Sequence, residues 1–253
     1  WIIPSQEAFS SENNNYNWVS FEGVYKVTKP TGKYIDDIVN FNNIDNYGVP
    51  KNQYIKVATL EQCKNTIGSF YQDNTTVYCN KFNDDIINFN YLNFRNQTIA
   101  FNGNCGTTMF ENVGFTTNSY TFRPTNFANF YFFNCKFYRG LQDAFAINGA
   151  YNCYVFDCVS AYGSKDGFNY HTQNTNSLAV EVNSVAYGSG QYKISNGNTT
   201  TNSNNGSTGH DGMFVLRIGG KYWECEGPIV ADEDCYSINI GCEAYNILNS
   251  TTG

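Results

Sequence analysis

One stretch, AYGSKDGFNYH (Ala161 to His171), is nearly repeated on both sides of itself. Upstream stands FYRGLQDAFAIN (Phe137 to Asn148); downstream stand AYGS (Ala186 to Ser189) and HDGMFVLRI (His210 to Ile218). Aligned on Tyr138, Tyr162 and Tyr187, each copy runs into an aspartate, a small residue and a large apolar one. These are Asp143-Ala144-Phe145, Asp166-Gly167-Phe168 and Asp211-Gly212-Met213. The first two aspartates are 23 positions apart and the last two 45, which places an insertion between Ser189 and His210. A unit this short cannot bury its own apolar face, so self-similarity at this period predicts a stacked array.

The alternation within the units is that of strands. FENVGF, FNCKF and FDCVSAY repeat at Phe110, Phe133 and Phe156, and VNSVAY and IGCEAY continue the series. Between them lie Phe145 and Ile147, Phe168 and Tyr170, and Met213 and Val215, apolar on every second position. Twenty Phe, twenty Tyr and 22 Gly against five Pro suit short strands joined by tight turns. The fold class expected is all-β, a right-handed parallel β-helix. Residues 1–16, polar and Asn-rich, read as an arm or cap, and residues 17–253 as the β-helix. INFNYLNF (Ile87 to Phe94) shows the same alternation, and a helix is predicted near Ala58 to Ile67, with Thr59 capping and Gln62 three residues on.

Nine cysteines with no CxxC pair read as buried free thiols, which implies a reducing compartment during assembly. Cys135, Cys158 and Cys242 fall at equivalent repeat positions. A net charge of −7 with no basic stripe argues against nucleic acid as partner. No apolar run is long enough to span a membrane, and no signal-peptide pattern opens the sequence. The start at Trp1 and the stop soon after Tyr245 lead to the expectation of a piece lacking part of its C-terminal end.

DGFNYH (Asp166 to His171), STGHDG (Ser207 to Gly212) and EGPIVADEDCYSINIGCEAY (Glu226 to Tyr245) resemble the central coils of bacteriophage tailspike depolymerases. VSFEGVYKV, near the start, is similar to the first coil of pectate-lyase-like β-helices. The resemblance is closest from 133 to 246. It implies a homotrimeric virion protein on a phage tail that binds and cuts capsular or O-antigen polysaccharide at the bacterial surface, without a cofactor.

The chemistry expected follows from stacking. With the insertion as a loop, Asp166 and Asp211 would occupy adjacent rungs, one carboxyl held neutral beside a charged one, the division of labour that glycoside hydrolysis needs. Asp143 with Asp211, two rungs apart, would suit inversion. His210 and His171, the two histidines, each belong to an aspartate motif, and strand parity turns His171 outward if Phe168 and Tyr170 point in. These four residues, Asp166, Asp211, His210 and His171, are the expected catalytic set.

Substrate contacts are expected from Asp143, from Glu181 (read as outward between inward Val180 and Val182), and from Tyr192, Asn205 and Ser207 of the insertion. Arg217 and Lys165 would hold a sugar carboxylate. No metal is expected, since Asp232, Glu233 and Asp234 lack the glycine-spaced ligand pattern of calcium loops. Three alternatives stand beside hydrolysis: elimination by a lyase with His171 or Tyr170 as base, attachment to glycan without catalysis, and esterase chemistry. The last lacks a GxSxG or Ser-His-Asp order.

Overall fold

The computed structural model describes residues 17–87, 90–94, 106–116, 129–140, 143–172, 176–190, 204–231 and 234–248. The chain divides into two compact units, Pro4–Gln97 and Thr98–Gly253. Residues 17–94 are therefore not the first coils of the β-helix, which corrects the expected single solenoid from residue 17.

The first unit is mostly antiparallel. Strands β1 (Val19–Phe21), β2 (Val24–Thr28), β3 (Ile35–Asn40) and β4 (Ile55–Lys56) precede helix α1 (Leu60–Asn65). After it come β5 (Ser69–Gln72), β6 (Thr76–Asn80) and β7 (Asn90–Phe94). One sheet runs β1-β2-β6-β5-β4, and β3 pairs antiparallel with β7, so the Asn90–Phe94 part of INFNYLNF belongs to a separate two-stranded antiparallel sheet and not to a coil. The helix begins where expected. Thr59 Oγ1 accepts the Gln62 N–H at 3.1 Å, and Gln62 Oε1 accepts the Ala58 N–H at 3.0 Å, so side chains satisfy two donors near the helix start. Trp18, Ile35, Ile38, Tyr54, Phe70 and Val77 fill its core.

The second unit is a parallel β-solenoid of about five turns. Its strands fall into coils. The first holds β8 (Thr107–Glu111) and β9 (Gly114–Thr116). The second holds β10 (Asn129–Phe133), β11 (Lys136–Tyr138) and β12 (Phe145–Asn148). Then come β13 (Asn152–Phe156), β14 (Val159–Ala161) and β15 (Phe168–His171). The fourth coil has β16 (Leu178–Val182), β17 (Val185–Tyr187) and β18 (Asn205–Gly209). β19 (Phe214–Ile218), β20 (Lys221–Trp223) and β21 (Gly227–Ala231) form the fifth, and β22 (Tyr236–Ile240) and β23 (Glu243–Tyr245) follow. Three parallel sheets result: β8-β10-β13-β16-β19-β22, β9-β11-β14-β17-β20-β23 and β12-β15-β18-β21.

The turns explain part of the sequence pattern. Between the first and second strand of each coil sits a left-handed residue: Asn112, Asn134, Asp157, Asn183, Gly219 and Gly241. Asn, Asp and Gly tolerate that conformation best, which is why N-C, D-C, N-S and G-C recur there. The side chains also bond along the stack; Asn134 Nδ2 donates to Asn112 Oδ1 at 2.6 Å. A second left-handed column, Arg139, Tyr162, Gly188, Glu224 and Asn246, follows the second strand. Tyr162 thus stacks with Arg139 and Gly188. The true partner of Tyr138 and of Tyr187 is Ala161, one residue off the tyrosine alignment read from sequence.

Inside, rings pack against rings. Phe137 and Phe145 lie 4.6 Å apart in an edge arrangement, Phe132 and Phe145 5.3 Å, and Phe145 and Tyr170 5.7 Å. Each fully buried ring contributes roughly 1.5–3 kcal/mol of apolar transfer. Cys135 and Cys158 are rung neighbours as expected, with the Cys135 N–H donating to Cys158 Sγ at 3.3 Å; Cys242 shares the column. Eight cysteines, all free, lie among the described residues.

Candidate functional site

The register of the third sheet decides where the acidic residues meet. Phe145 pairs with Phe168, and Phe168 pairs with Ser207. Counting back two residues, the column is Asp143, Asp166, Asn205; Asp211 is not in it. Backbone hydrogen bonds follow the same order. Asp143 Oδ1 accepts the Asp166 N–H at 3.2 Å, and Asp166 Oδ1 accepts the Asn205 N–H at 2.7 Å. Asn169 Nδ2 donates to Asp166 Oδ2 at 3.3 Å. The expected Asp166–Asp211 pair is therefore corrected to Asp143–Asp166, and Asp143–Asp211 falls with it. The copy Asp211-Gly212-Met213 resembles the others in sequence but begins the next coil, after β18 rather than before it.

Asp143 and Asp166 are buried, 2% and 7% exposed. Burial first, then the neighbouring Asp143 charge, pushes the Asp166 carboxyl up to about 8. Burial raises Asp143 as well. Lys165, half-buried in the turn before β15, acts on both in the opposite direction but more weakly. Asn205, expected as a sugar contact, is buried, and its Nδ2 donates to Thr208 Oγ1 at 3.3 Å.

Asp211 lies at the other end of strand β15. His171 is five residues beyond Asp166, roughly 16 Å of extended backbone, and its Nδ1 is 3.0 Å from Asp211 Oδ2. Phe168 and Tyr170 point inward and are fully buried, so parity does turn His171 outward. His210 follows β18 by one residue, and its ring stacks on that of His171 with centroids 4.3 Å apart and planes 6° apart. Asn148, in register with His171 on β12, extends the column; its place could have been read from the repeat, since it ends the copy that His171 ends in the next coil. Asp211 itself is held at φ 62° in the turn that starts the next coil. The carboxylate fixes the imidazole plane, and among the described residues Nε2 has no partner. A histidine so oriented is a proton acceptor at its far nitrogen.

Compared with protein-family models, curated proteins and solved structures, the chain matches none. The site is accordingly read from geometry.

Three further expected substrate contacts are interior residues. Glu181 is fully buried, so the outward reading is wrong: Ala179 and Glu181 point in, and Val180 and Val182 point out. Tyr170 Oη and Ser207 Oγ donate to Glu181 Oε2 at 2.8 and 2.9 Å, and Tyr222 Oη donates to Oε1. Burial holds both tyrosine hydroxyls well above their ordinary range, so they remain donors. Arg217, also fully buried, donates from Nε to Ser207 Oγ at 2.8 Å and from Nη1 to Ser237 Oγ at 2.8 Å. Ser207 and Arg217 therefore serve a core network and do not face substrate, and Tyr170 is equally removed from a role as external base. Tyr192, Asp232 and Glu233 lie outside the described residues. Among the described residues no cluster of His, Cys, Asp and Glu is arranged to hold a metal.

The outer aromatics of the second sheet are occupied with one another. Tyr187 and Trp223 stack at 4.6 Å and 8°, and Trp223 and Tyr245 at 5.6 Å and 2°.

Proposed function

We propose that the protein acts on a polysaccharide by base-catalysed elimination, with His171 as the base and Asp211 as the residue that orients it. The observation that carries this reading is the 3.0 Å contact between His171 Nδ1 and Asp211 Oδ2, on a side chain 23% exposed. Elimination from a uronic-acid residue needs a well-placed base and a cation at the sugar carboxylate. Of the two expected cations, Arg217 is buried in the core and Lys165 precedes β15, the strand that His171 ends. His171 Nε2 takes the proton from C5, that electron pair forms the C4–C5 double bond, and the C4–O glycosidic bond breaks. The leaving oxygen takes up a proton, which in this reading comes from His210, stacked on His171. Hydrolysis by the expected pair loses its support because Asp166 and Asp211 lie at opposite ends of one strand.

The polysaccharide class, the bacterial surface as its source, the place on a phage tail and a homotrimeric state rest on the resemblance of the DGFNYH and STGHDG segments to tailspike depolymerases. A second reading, glycoside hydrolysis, is favoured by a different observation: the Asp143–Asp166 pair contains an acid that stays protonated up to about pH 8. Against it, Oδ1 of each aspartate already accepts a backbone N–H. Incubation with uronic-acid-containing capsular polysaccharide separates the readings. Ultraviolet absorbance of a 4,5-unsaturated product supports elimination. New reducing ends without that absorbance would establish hydrolysis, and binding without loss of viscosity would leave an attachment protein.

A further inference from the structure

The outward column that carries His171 holds another polar side chain, Asn148, whose amide is unspent. Register pairs Asn148 with His171. The ladder continues past the strand ends: the Gly149 N–H donates to the His171 carbonyl at 3.1 Å, and the His210 N–H to the Tyr170 carbonyl at 2.8 Å. Asn148, His171 and His210 therefore stand on three successive rungs, ~4.8 Å apart. Ile147 and Tyr170, one residue earlier on β12 and β15, are fully buried in the core, so Asn148 turns outward with His171. Asn148 is half-buried, and among the described residues its amide has no hydrogen-bond partner. Nearby asparagines are spent on the fold. Asn152 Nδ2 donates to Asn129 Oδ1 at 2.9 Å, and Asn169 Nδ2 to Asp166 Oδ2 at 3.3 Å.

We propose that Asn148 receives the carboxylate of the sugar whose C5 proton His171 removes, an inference that rests on the elimination reading. Removal of that proton moves negative charge from C5 onto the carboxylate oxygens. Hydrogen-bond donors fixed in place beside developing charge act in the same sense as a cation there. The two expected cations stand elsewhere. Arg217 is fully buried, and Lys165 lies six residues before His171, roughly 20 Å of extended chain. The Thr172 hydroxyl, next after His171, is buried and donates to Ser177 Oγ at 2.6 Å. Asn148 offers two N–H donors one rung from the base. That spacing suits the sugar, because the carboxyl carbon is bonded to C5 and the leaving oxygen departs from C4, on the other side of C5. The column order Asn148, His171, His210 thus follows the substrate order carboxylate, C5–H, O4. Being neutral, the amide holds an anion without drawing Asp211 away from His171 Nδ1.

Steady-state kinetics of Asn148→Ala and Asn148→Asp on uronic-acid-containing capsular polysaccharide test the assignment, read from the ultraviolet absorbance of the unsaturated product. Both variants are expected to lower kcat on the order of 10²-fold, since the amide meets charge that grows in the transition state. Asn148→Asp keeps the shape but exchanges the donors for a carboxylate, and should also raise KM about tenfold. The Tm of both should match the wild type, because the amide holds nothing in the fold. Equilibrium binding gives a readout apart from turnover. Wild type should bind the polysaccharide about tenfold tighter than its carboxyl-reduced form, and Asn148→Ala should bind the two alike. A wild type that makes the unsaturated product while both variants match its kcat overturns the inference and leaves His171 as base. Equal binding of the two polymers by wild type overturns it as well, and so does a lowered Tm that accompanies the loss of activity in both variants. No unsaturated product from wild type overturns the elimination reading, and this inference with it.

Discussion

Asp166 accepts the backbone N–H of Asn205 at 2.7 Å, although 39 positions separate them, and that bond fixes the rung on which each acidic residue stands. It closes the long insertion and makes Asn205, not Asp211, the successor of Asp166. The polar end of the column becomes a ladder of side-chain acceptors for the strand starts. The other end, five residues on, becomes the place where His171, His210 and Asp211 gather.

The proposed base gives the first prediction. His171→Ala should lower the rate of polysaccharide elimination by about 10²–10⁴-fold. Asp211→Asn keeps the shape but not the charge that fixes the ring, and should lower kcat on the order of 10²-fold with little change in KM. Both are read from the ultraviolet absorbance of the unsaturated product. Equal activity in all three proteins would remove His171 from the mechanism.

Asp166 supplies a pH dependence. Its carboxyl is raised from an unfolded value near 3.8 to about 8. The folded state therefore binds this proton more tightly than the unfolded state. The associated stability is fully present below about pH 4 and is lost as pH rises through about 8, on the order of a few kcal/mol. Asp166→Asn cannot lose a proton. Its Tm should exceed that of the wild type at pH 8.5 and the difference should shrink toward pH 5. A parallel pair of Tm curves would show that Asp166 titrates as in the unfolded chain.

The interior network behaves as a unit. Glu181→Leu leaves Tyr170, Ser207 and Tyr222 without their acceptor and Arg217 without a nearby counter-charge. It should lower stability by roughly 3–5 kcal/mol in denaturant melts. Combining it with Arg217→Met, which removes the stranded cation, should recover a large share of the loss. Additive losses in the double variant would mean that the two charges do not communicate.

Gly163 is a packing constraint. A Cβ there would collide with the Asp166 carbonyl oxygen and the Ala144 backbone nitrogen, and both belong to the rung-to-rung ladder. Gly163→Ala should cost about 1–3 kcal/mol, measured as a shift in the urea midpoint without a change in slope. Thr59→Ala, which only removes the cap of α1, should cost about 1 kcal/mol and serves as the reference for a local effect.

Several features were legible from the residues alone because they depend on near neighbours in the chain. The period of the Phe and Tyr positions required a stack, and alternation over four residues turned His171 outward. Thr59 and Gln62 marked the helix start. None of these needs knowledge of what lies on the next rung. The tertiary structure decided what depends on register and on the environment of each face. The insertion hid the count, so Asp211 looked like a third copy of Asp166 until Phe168 was seen to pair with Ser207. Glu181 and Arg217 turned inward because the opposite face of the same strands is apolar too, a circumstance in which alternation alone gives the period of a strand but not its sides. A charge between valines turns inward where buried donors meet it, here the hydroxyls of Tyr170, Ser207 and Tyr222.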